Sequence, residues 1–186
     1  GVQTCALPIC RMFRKSKDLN VAILVLGDIG RSPRMEFHSI ELSKICPVSV
    51  VCYTETKPLS SITENNNIHL FGLSTLPPLP DIPLRTLVWL CLYGPAKFLY
   101  LAFQLLYMFV IKIPSYSHVL IQNPPSLPSF FIIAIVKFLT GCQVIVDWHN
   151  TGYSIVMNVH SMRESSPIIK LLKLYELLIP DRKSVV

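Results

Sequence analysis

The feature that most constrains the fold is an apolar segment near the amino end that runs directly into a polar loop broken by two glycines. Residues 20–26 read NVAILVL and are apolar on both faces, which is typical of a central strand in a parallel sheet. The loop that follows, residues 27–35, reads GDIGRSPRM, and its proline favours the start of a helix at Pro33. Ligands of open parallel sheets bind beyond the carboxyl ends of the strands, so this loop is a candidate site.

The composition of the loop suits an anion, most plausibly a phosphate. Arginine side chains, a serine hydroxyl, backbone N–H groups and the start of a helix all favour negative charge. The candidate binding residues are Gly27, Gly30, Arg31, Ser32 and Arg34. The alternative is a tight turn in which Asp28 pairs with an arginine and nothing binds. The spacing of the glycines is not that of a dinucleotide fingerprint, and no P-loop lysine follows.

Strand and helix patterns alternate along the chain with short links, which predicts an α/β fold with a Rossmann-like parallel sheet. The predicted strands are residues 20–26, 47–53, 68–71, 119–122 and 143–148. The predicted helices are residues 35–45, 127–139 and 167–178, with Gly141 as the stop of the second. Residues 54–67 are polar and turn-rich, and the proline-rich residues 76–83 predict an irregular linker.

The chain is unusually apolar, with 51% hydrophobic and 15% charged residues and a mean hydropathy of +0.48, whereas soluble domains carry about 25% charged residues. This predicts contact with lipid or with a larger assembly. Residues 84–113 are the most apolar stretch, and we expect two membrane-associated helices there, broken at Gly94-Pro95, rather than a clean transmembrane span. The alternative is a buried crossover helix. The aromatic residues expected near lipid headgroups are Trp89, Tyr93, Tyr100 and Tyr107.

The net charge of +6 is concentrated partly before the first strand. A basic cluster at this position favours an anionic membrane surface, and the alternative is a solvated terminus. Its members are Arg11, Arg14, Lys15 and Lys17. No nucleic-acid motif is visible, so nucleic acid is not expected as a partner. Residues 1–19 predict an atypical, non-native leader, and residues 181–186 a non-native tail.

The six cysteines show no Cys-x-x-Cys pair and no metal-ligand spacing with histidine, so neither a metal nor a cofactor is expected. Four of them lie in or beside apolar runs, and we expect reduced, mostly buried thiols there. These are Cys46, Cys52, Cys91 and Cys142.

Two further strand exits carry polar residues, at 122–126 and 147–154, and should meet the first loop at one edge of the sheet. Asp147 and His149 are the best candidates for proton transfer, because a carboxylate can orient a histidine that titrates near neutral pH. The alternative is that Asp147 caps the loop and His149 is a hydrogen-bonded structural residue. The remaining histidines are interpreted as surface or packing residues: His38, His69, His118 and His160.

Three segments in this order, GDIGRSPRM (27–35), QNPP (122–125) and VDWHNTGYS (146–154), resemble the chitobiosyldiphosphodolichol β-mannosyltransferase family. The resemblance covers about residues 20–180 and is to the amino-terminal half of such enzymes. It implies the acceptor-side, Rossmann-like domain of a GT-B glycosyltransferase of family 33 type. It also implies a place on the cytosolic face of the endoplasmic reticulum membrane, and a carboxy-terminal donor domain that this chain lacks.

The resemblance implies an inverting β-1,4-mannosyltransferase. Such an enzyme moves the first mannose from GDP-mannose to GlcNAc2-PP-dolichol, in lipid-linked oligosaccharide synthesis for protein N-glycosylation. On this basis His149 is the expected base, with Asp147 as alternative or orienter. Arg31, Ser32 and Arg34, with the loop glycines, would hold the acceptor diphosphate. Asn123 and Asn150 would contact the acceptor sugar, and other transferases of the same pathway are further expected partners.

Two departures from the family pattern bear on activity. Residues 1–19 are not the hydrophobic anchor that the family usually has, and the donor half is missing, so the chain alone is expected not to transfer mannose. The alternative is a non-catalytic, membrane-associated acceptor-binding subunit of a split glycosyltransferase. A downstream reading frame with a glutamate-containing nucleotide-sugar motif would distinguish the two.

Overall fold

Five parallel strands form one sheet in the order β3-β2-β1-β4-β5 in the computed structural model, which describes residues 19–78, 80, 89–123, 128–148, 151–159 and 163–178. The strands are β1 (Val21–Asp28), β2 (Val48–Tyr53), β3 (Ile68–Gly72), β4 (His118–Asn123) and β5 (Gln143–Trp148). The helices are α1 (Pro33–Ser43), α2 (Ser60–Thr63), α3 (Gly94–Tyr107), α4 (Ser129–Thr140), α5 (Gly152–Val159) and α6 (Pro167–Leu178). The predicted α/β, Rossmann-like fold is confirmed.

The sheet is built outward from β1, which pairs in parallel with β2 on one side and β4 on the other. Residues 21–25 are buried on both faces, as expected for a central strand whose two faces are both covered. Because the chain first adds strands toward β3 and then returns to add β4 and β5, the direction of winding reverses between β1 and β4. This reversal is the topological switch point at which open α/β sheets bind ligands.

Helices cover both faces of the sheet, and each face has its own hydrophobic core. On one face α1 buries Met35 and Leu42 against the inward side chains of β1 and β2. On the other face α3, the helical turn Met108–Lys112 that follows it, and α4 bury Leu105, Phe109 and Val136 against β1, β4 and β5. The site at the carboxyl edge therefore stands on a packed, three-layer scaffold.

The helical stretch before β4 differs from the sequence prediction. Instead of breaking at Gly94-Pro95, the helix continues without interruption from a π-helical turn at Trp89–Tyr93, through α3, to a second π-helical turn at Met108–Lys112. Proline lacks an N–H group and clashes with the preceding turn, and a locally widened turn accommodates this without ending the helix. The stretch Cys91–Lys112 is long and apolar enough to cross a membrane, a property that core helices of soluble proteins share.

The structure differs from some of the smaller predictions and confirms others. The turn-rich stretch before β3 contains the one-turn helix α2, and α5 begins within the segment expected to be a loop. Cys91 is exposed rather than buried, because it lies on a face of the long helix that does not pack on the sheet, whereas Cys46, Cys52 and Cys142 are buried free thiols as predicted. Gly141 ends α4 in the left-handed conformation, as predicted.

Some predictions fall outside the described residues. These are the leader before residue 19, its basic cluster, residues 84–88, residues 124–127, His149, Asn150, His160 and the tail 181–186.

Candidate functional site

The exits of β1, β4 and β5 meet at one edge of the sheet. Ser32, which follows β1, donates a hydrogen bond from Oγ to Oε1 of Gln122 near the end of β4, at 3.3 Å. Arg34 on α1 lies beside Asp147 near the end of β5, with 3.1 Å between Arg34 Nε and Asp147 Oδ2. The predicted convergence of the three exits is therefore observed in their described residues.

Asp147 is the centre of a buried charged cluster. Its side chain is only 2% exposed, and its Oδ2 also lies 3.8 Å from Nε2 of His38. Arg34 and His38 are four residues apart on α1, so they lie on the same face of the helix, one turn from each other. Asp147 thus stands between the guanidinium and the imidazole of one helix face.

His38 corrects the sequence analysis, which gave it no partner and treated it as a surface or packing residue. The side chain is buried, 2% exposed, and faces a carboxylate. Burial lowers the pKa of His38, while Asp147 opposes this and Arg34 adds to it. A lowered pKa keeps the imidazole neutral near pH 7. Its i, i+4 spacing from Arg34 was the one sequence signal that could have identified it.

The loop after β1 is held by Asp28. Its carboxylate accepts hydrogen bonds from the backbone N–H and the hydroxyl of Thr56, in the loop after β2. The hydroxyl bond from Thr56 is the main reason why the pKa of Asp28 is lowered, and Arg31 contributes through its charge. Arg31 Nε lies 3.5 Å from Asp28 Oδ2 while its side chain stays 71% exposed. The pairing in the alternative interpretation is therefore present, but it leaves most of Arg31 in solvent.

Gly30 permits the close approach of this loop to the loop after β2. A Cβ on Gly30 would lie 2.5 Å from Thr56 Oγ1, 3.0 Å from the Thr56 carbonyl oxygen and 3.1 Å from that of Lys57. Gly27, in contrast, has nothing within 4 Å of such a Cβ. Gly30 therefore has a packing role, whatever it also contributes to a ligand.

The start of α1 offers fewer N–H donors than a helix end can provide. The helix begins at Pro33, as predicted, and proline has no N–H to donate. The N–H groups of Met35 and Glu36 both donate to the carbonyl oxygen of Ser32, at 3.0 Å. Any anion bound at this edge therefore depends on side chains, and above all on Arg34, more than on helix N–H groups.

The remaining predicted site residues are Asn123, His149 and Asn150. Asn123 ends β4 and is fully buried, and its contact with a sugar stays a prediction. His149 and Asn150 lie outside the described residues, so their roles also stay predictions. Among the residues that the structure describes, no group of three or more His, Cys, Asp or Glu side chains is arranged to hold a metal ion.

The site combines a partly exposed cation with a buried carboxylate and a neutral imidazole. The Arg34 side chain is 37% exposed, so part of it contacts solvent while its Nε faces Asp147. A guanidinium fixed by a buried carboxylate is pre-oriented for an anionic group such as phosphate. Sequence reasoning also missed Thr56, since nothing in the sequence pairs it with Asp28.

Comparison with known proteins gives similarity to one group of enzymes. The chain is 37% identical over 164 residues to chitobiosyldiphosphodolichol beta-mannosyltransferase of Dictyostelium discoideum, a match that covers 84% of this chain and 33% of that protein. The protein of the same name from Homo sapiens is 36% identical over 158 residues, covering 84% of this chain and 32% of its own length. That of Candida albicans is 29% identical over 178 residues, covering 89% and 35%.

No family model matches the chain. A solved structure, the carboxy-terminal domain of a hydrogenase from Pyrococcus furiosus, aligns with a TM-score of 0.44 and 11% identity over 71% of this chain and 92% of that one. This likeness is too weak to bear on function. The chain spans about a third of the length of the curated relatives it matches. The similarity to enzymes of one name, over most of the chain, confirms the resemblance to the chitobiosyldiphosphodolichol β-mannosyltransferase family that the three motifs predict.

Proposed function

We propose that this chain is the acceptor-binding part of a mannosyltransferase that adds the first mannose to dolichol-linked diphosphochitobiose. GDP-mannose is the donor, and most of its binding site is supplied by the part of the enzyme beyond the third that this chain spans in its relatives. Transfer inverts the anomeric carbon and forms a β-1,4 bond on the cytosolic face of the endoplasmic reticulum. The observation that carries the proposal is Arg34, held by buried Asp147 at the switch point of a chain that resembles these enzymes.

The diphosphate of the acceptor matches the arginines at the loop after β1. A diphosphate that bridges a lipid and a sugar carries two negative charges, and Arg34 and Arg31 lie at the loop after β1, with Ser32 between them. Arginine suits such groups because its planar fork donates two parallel hydrogen bonds. We infer that Arg34 makes the main contact and that the more exposed Arg31 assists.

The lipid part of the acceptor calls for an apolar surface. The long helix exposes Leu99 at 66%, Phe103 at 68% and Ile111 at 69%, on the side turned away from the sheet. The neighbouring α4 adds Phe131 and Phe138. An exposed apolar area of this kind in a folded domain marks an interaction site, and we propose that it lies in the membrane surface.

The chemical step needs a group that removes the proton from the acceptor hydroxyl. We propose His149 for this role. Asp147 is less suited to be the base, because it is buried and its Oδ2 already faces Arg34 Nε at 3.1 Å. Its proposed part is to orient the site. His149 lies two residues further along the chain, outside the described residues.

The test uses the full-length protein in detergent, with GDP-mannose and a short-chain isoprenyl diphosphochitobiose. Arg34→Ala should raise KM for the acceptor with a smaller effect on kcat, and His149→Ala should lower kcat with little change in acceptor affinity. Glu41→Ala serves as the control, since Glu41 lies on α1 and pairs only with Lys44 at the surface among the described contacts. Equal, mild effects of Arg34→Ala and His149→Ala would contradict the assigned roles.

A split enzyme is the second candidate. The chain spans about a third of its relatives, so a separate polypeptide could supply the donor half. In that case this chain is a membrane-associated acceptor-binding subunit without activity of its own. A reading frame that encodes the donor half as its own protein, and that restores transfer when mixed with this chain, would support this candidate.

A further inference from the structure

We propose that His38 is a positioning residue that takes up a proton when a diphosphate binds to Arg34, and that it then shares with Arg34 the task of holding Asp147. The proposal rests on the proposed function, because it assumes that Arg34 is the anion-binding group. It assigns a role to a buried histidine that the sequence left without one.

The geometry places one carboxylate between two potential cations. Asp147 Oδ2 lies 3.1 Å from Arg34 Nε and 3.8 Å from His38 Nε2. No hydrogen bond to His38 Nε2 or to Asp147 Oδ2 is formed by the described residues. The imidazole is therefore close enough to approach the carboxylate by a small movement, and a proton on Nε2 would turn this contact into a charge-assisted hydrogen bond.

In the ligand-free protein three influences act on His38. Burial and the positive charge of Arg34 both lower its pKa, whereas the negative charge of Asp147 raises it. The net result is a lowered pKa and a neutral imidazole near pH 7. Among the described residues, Asp147 then has one full counter-charge, Arg34.

An anion bound to Arg34 changes this balance. The two negative charges of a diphosphate offset the guanidinium charge and draw Arg34 toward the ligand, since its side chain is already 37% exposed. The repulsion that Arg34 exerts on a protonated His38 becomes weaker, while the attraction of Asp147 remains. The pKa of His38 rises, and the imidazole takes up a fraction of a proton from solvent, so that its charged form is stabilised by the Asp147 carboxylate.

Among the residues that the structure describes, no other titratable group near His38 takes over this role. On α1 itself Glu36 accepts the N–H of Leu59, at 2.9 Å, and Glu41 pairs with Lys44. On β1 and the turn after it, Asp28 pairs with Arg31 and accepts the hydroxyl hydrogen bond of Thr56. On β2, burial raises the pKa of Cys52 to about 12 and also raises the pKa of Tyr53, so both side chains stay neutral near pH 7. His69 on β3 is exposed to solvent. In the described part of the chain, His38 is thus the group whose protonation can change when an anion offsets the charge of Arg34.

Proton uptake at His38 would keep the site ordered when the diphosphate binds and when it leaves. A buried carboxylate that loses its counter-charge costs several kcal/mol, which would oppose the movement of Arg34 toward a ligand. Uptake of a proton at His38 removes this cost. The acceptor diphosphate would then bind more tightly where His38 can be protonated, that is, as the pH falls toward its free pKa.

The experiment measures protons taken up on binding. The full-length protein is titrated calorimetrically with P1,P2-dimethyl diphosphate, which carries two negative charges and has no group of its own that titrates near neutral pH. Each titration is repeated in buffers of different ionisation enthalpy, and the slope of the observed enthalpy gives the number of protons taken up. The variants are His38→Gln, Arg34→Gln and, as a matched control, His69→Gln on the exposed side of β3.

We expect the unmodified protein to take up a fraction of a proton that peaks between the free and liganded pKa of His38 and falls on either side. His69→Gln should behave in the same way, and His38→Gln should bind with no uptake. The peaked pH profile needs no variant, so it tests the idea even if His38→Gln folds poorly. Binding that depends on Arg34 but proceeds without proton uptake, or with uptake that persists in His38→Gln, would overturn the role of His38 alone. Absence of binding, or binding that Arg34→Gln leaves unchanged, would overturn the proposed diphosphate site as well.

Discussion

Arg34 and Asp147 are joined across the edge of the sheet, with 3.1 Å between Nε and Oδ2, so that the first turn of α1 is tied to the end of β5. The two partners are unequally buried. Asp147 is 2% exposed and cannot reach water, whereas Arg34, at 37%, can. Because the two side chains differ in burial, removing Arg34 and removing the charge of Asp147 should lower the free energy of unfolding by different amounts.

Arg34→Gln should therefore destabilise the chain more than Asp147→Asn. Without Arg34 a buried carboxylate loses its counter-ion, for which we expect a loss of about 3 kcal/mol in the free energy of unfolding. Without the Asp147 charge, Arg34 can turn to solvent, and the loss should be about 1 kcal/mol. Urea unfolding at pH 8 measures both. A larger loss for Asp147→Asn than for Arg34→Gln would contradict this prediction.

Gly30→Ala should destabilise the chain by about 1–3 kcal/mol, because the new methyl group would overlap Thr56 and crowd two backbone carbonyls. Gly27→Ala is the matched control in the same segment. Its Cβ would meet nothing within 4 Å, so its effect should be within about 1 kcal/mol of zero. Thermal unfolding of the two variants compares them directly. Equal losses of stability in the two variants would show that the close approach of the loop after β2 to Gly30 does not limit the side chain at this position.

His38 should make the stability of the ligand-free chain depend on pH below neutrality. Its pKa in the folded chain lies below the ordinary 6.5, mainly because of burial, so the unfolded chain binds the proton first as the pH falls. The stabilisation is complete above pH 6.5 and is lost as the pH falls from there through the folded pKa. Urea unfolding between pH 5 and about pH 8 should show a shallower decline in His38→Gln. Some decline should remain, since burial also lowers the pKa of His118.

The exposed apolar face of the long helix should govern membrane binding. The double variant Leu99→Gln with Phe103→Gln should weaken binding to phosphatidylcholine–phosphatidylserine vesicles by at least about tenfold, since each buried apolar side chain contributes roughly 1.5–3 kcal/mol. Leu59→Gln is the control, because it changes an equally apolar, exposed residue near α2. Vesicle flotation gives the bound fraction. Equal losses in the two variants would place the membrane contact elsewhere.

The isolated 186-residue chain should not transfer mannose, because we propose that the donor site is supplied by another part of the protein. The assay is release of GDP from GDP-mannose, together with formation of the mannosylated acceptor, at high protein concentration. The full-length protein is the positive control. Detectable transfer by the purified chain would contradict the proposed division between acceptor and donor halves.

Local patterns were enough to predict most of the elements. Residues 143–148 and 167–178 match β5 and α6 in full, because each is bounded by clear breaks in its apolar pattern. The long helix was mispredicted at Gly94-Pro95, where packing of Leu105 and Phe109 on the sheet outweighs the local cost of proline. The i, i+4 spacing of Arg34 and His38 was visible in the sequence, but not that both face Asp147.

The sequence by itself determined the order of the apolar runs along the chain and the polar residues that follow them. It also determined the resemblance to dolichol-pathway mannosyltransferases. All of these depend on residue type and on spacing along the chain. Only the tertiary structure decided which polar groups pair. Asp28 meets Thr56, Ser32 meets Gln122, and Asp147 meets Arg34 and His38. These contacts join segments far apart in the chain. They depend on the register of parallel strands and on the rotation of α1, which no local pattern specifies.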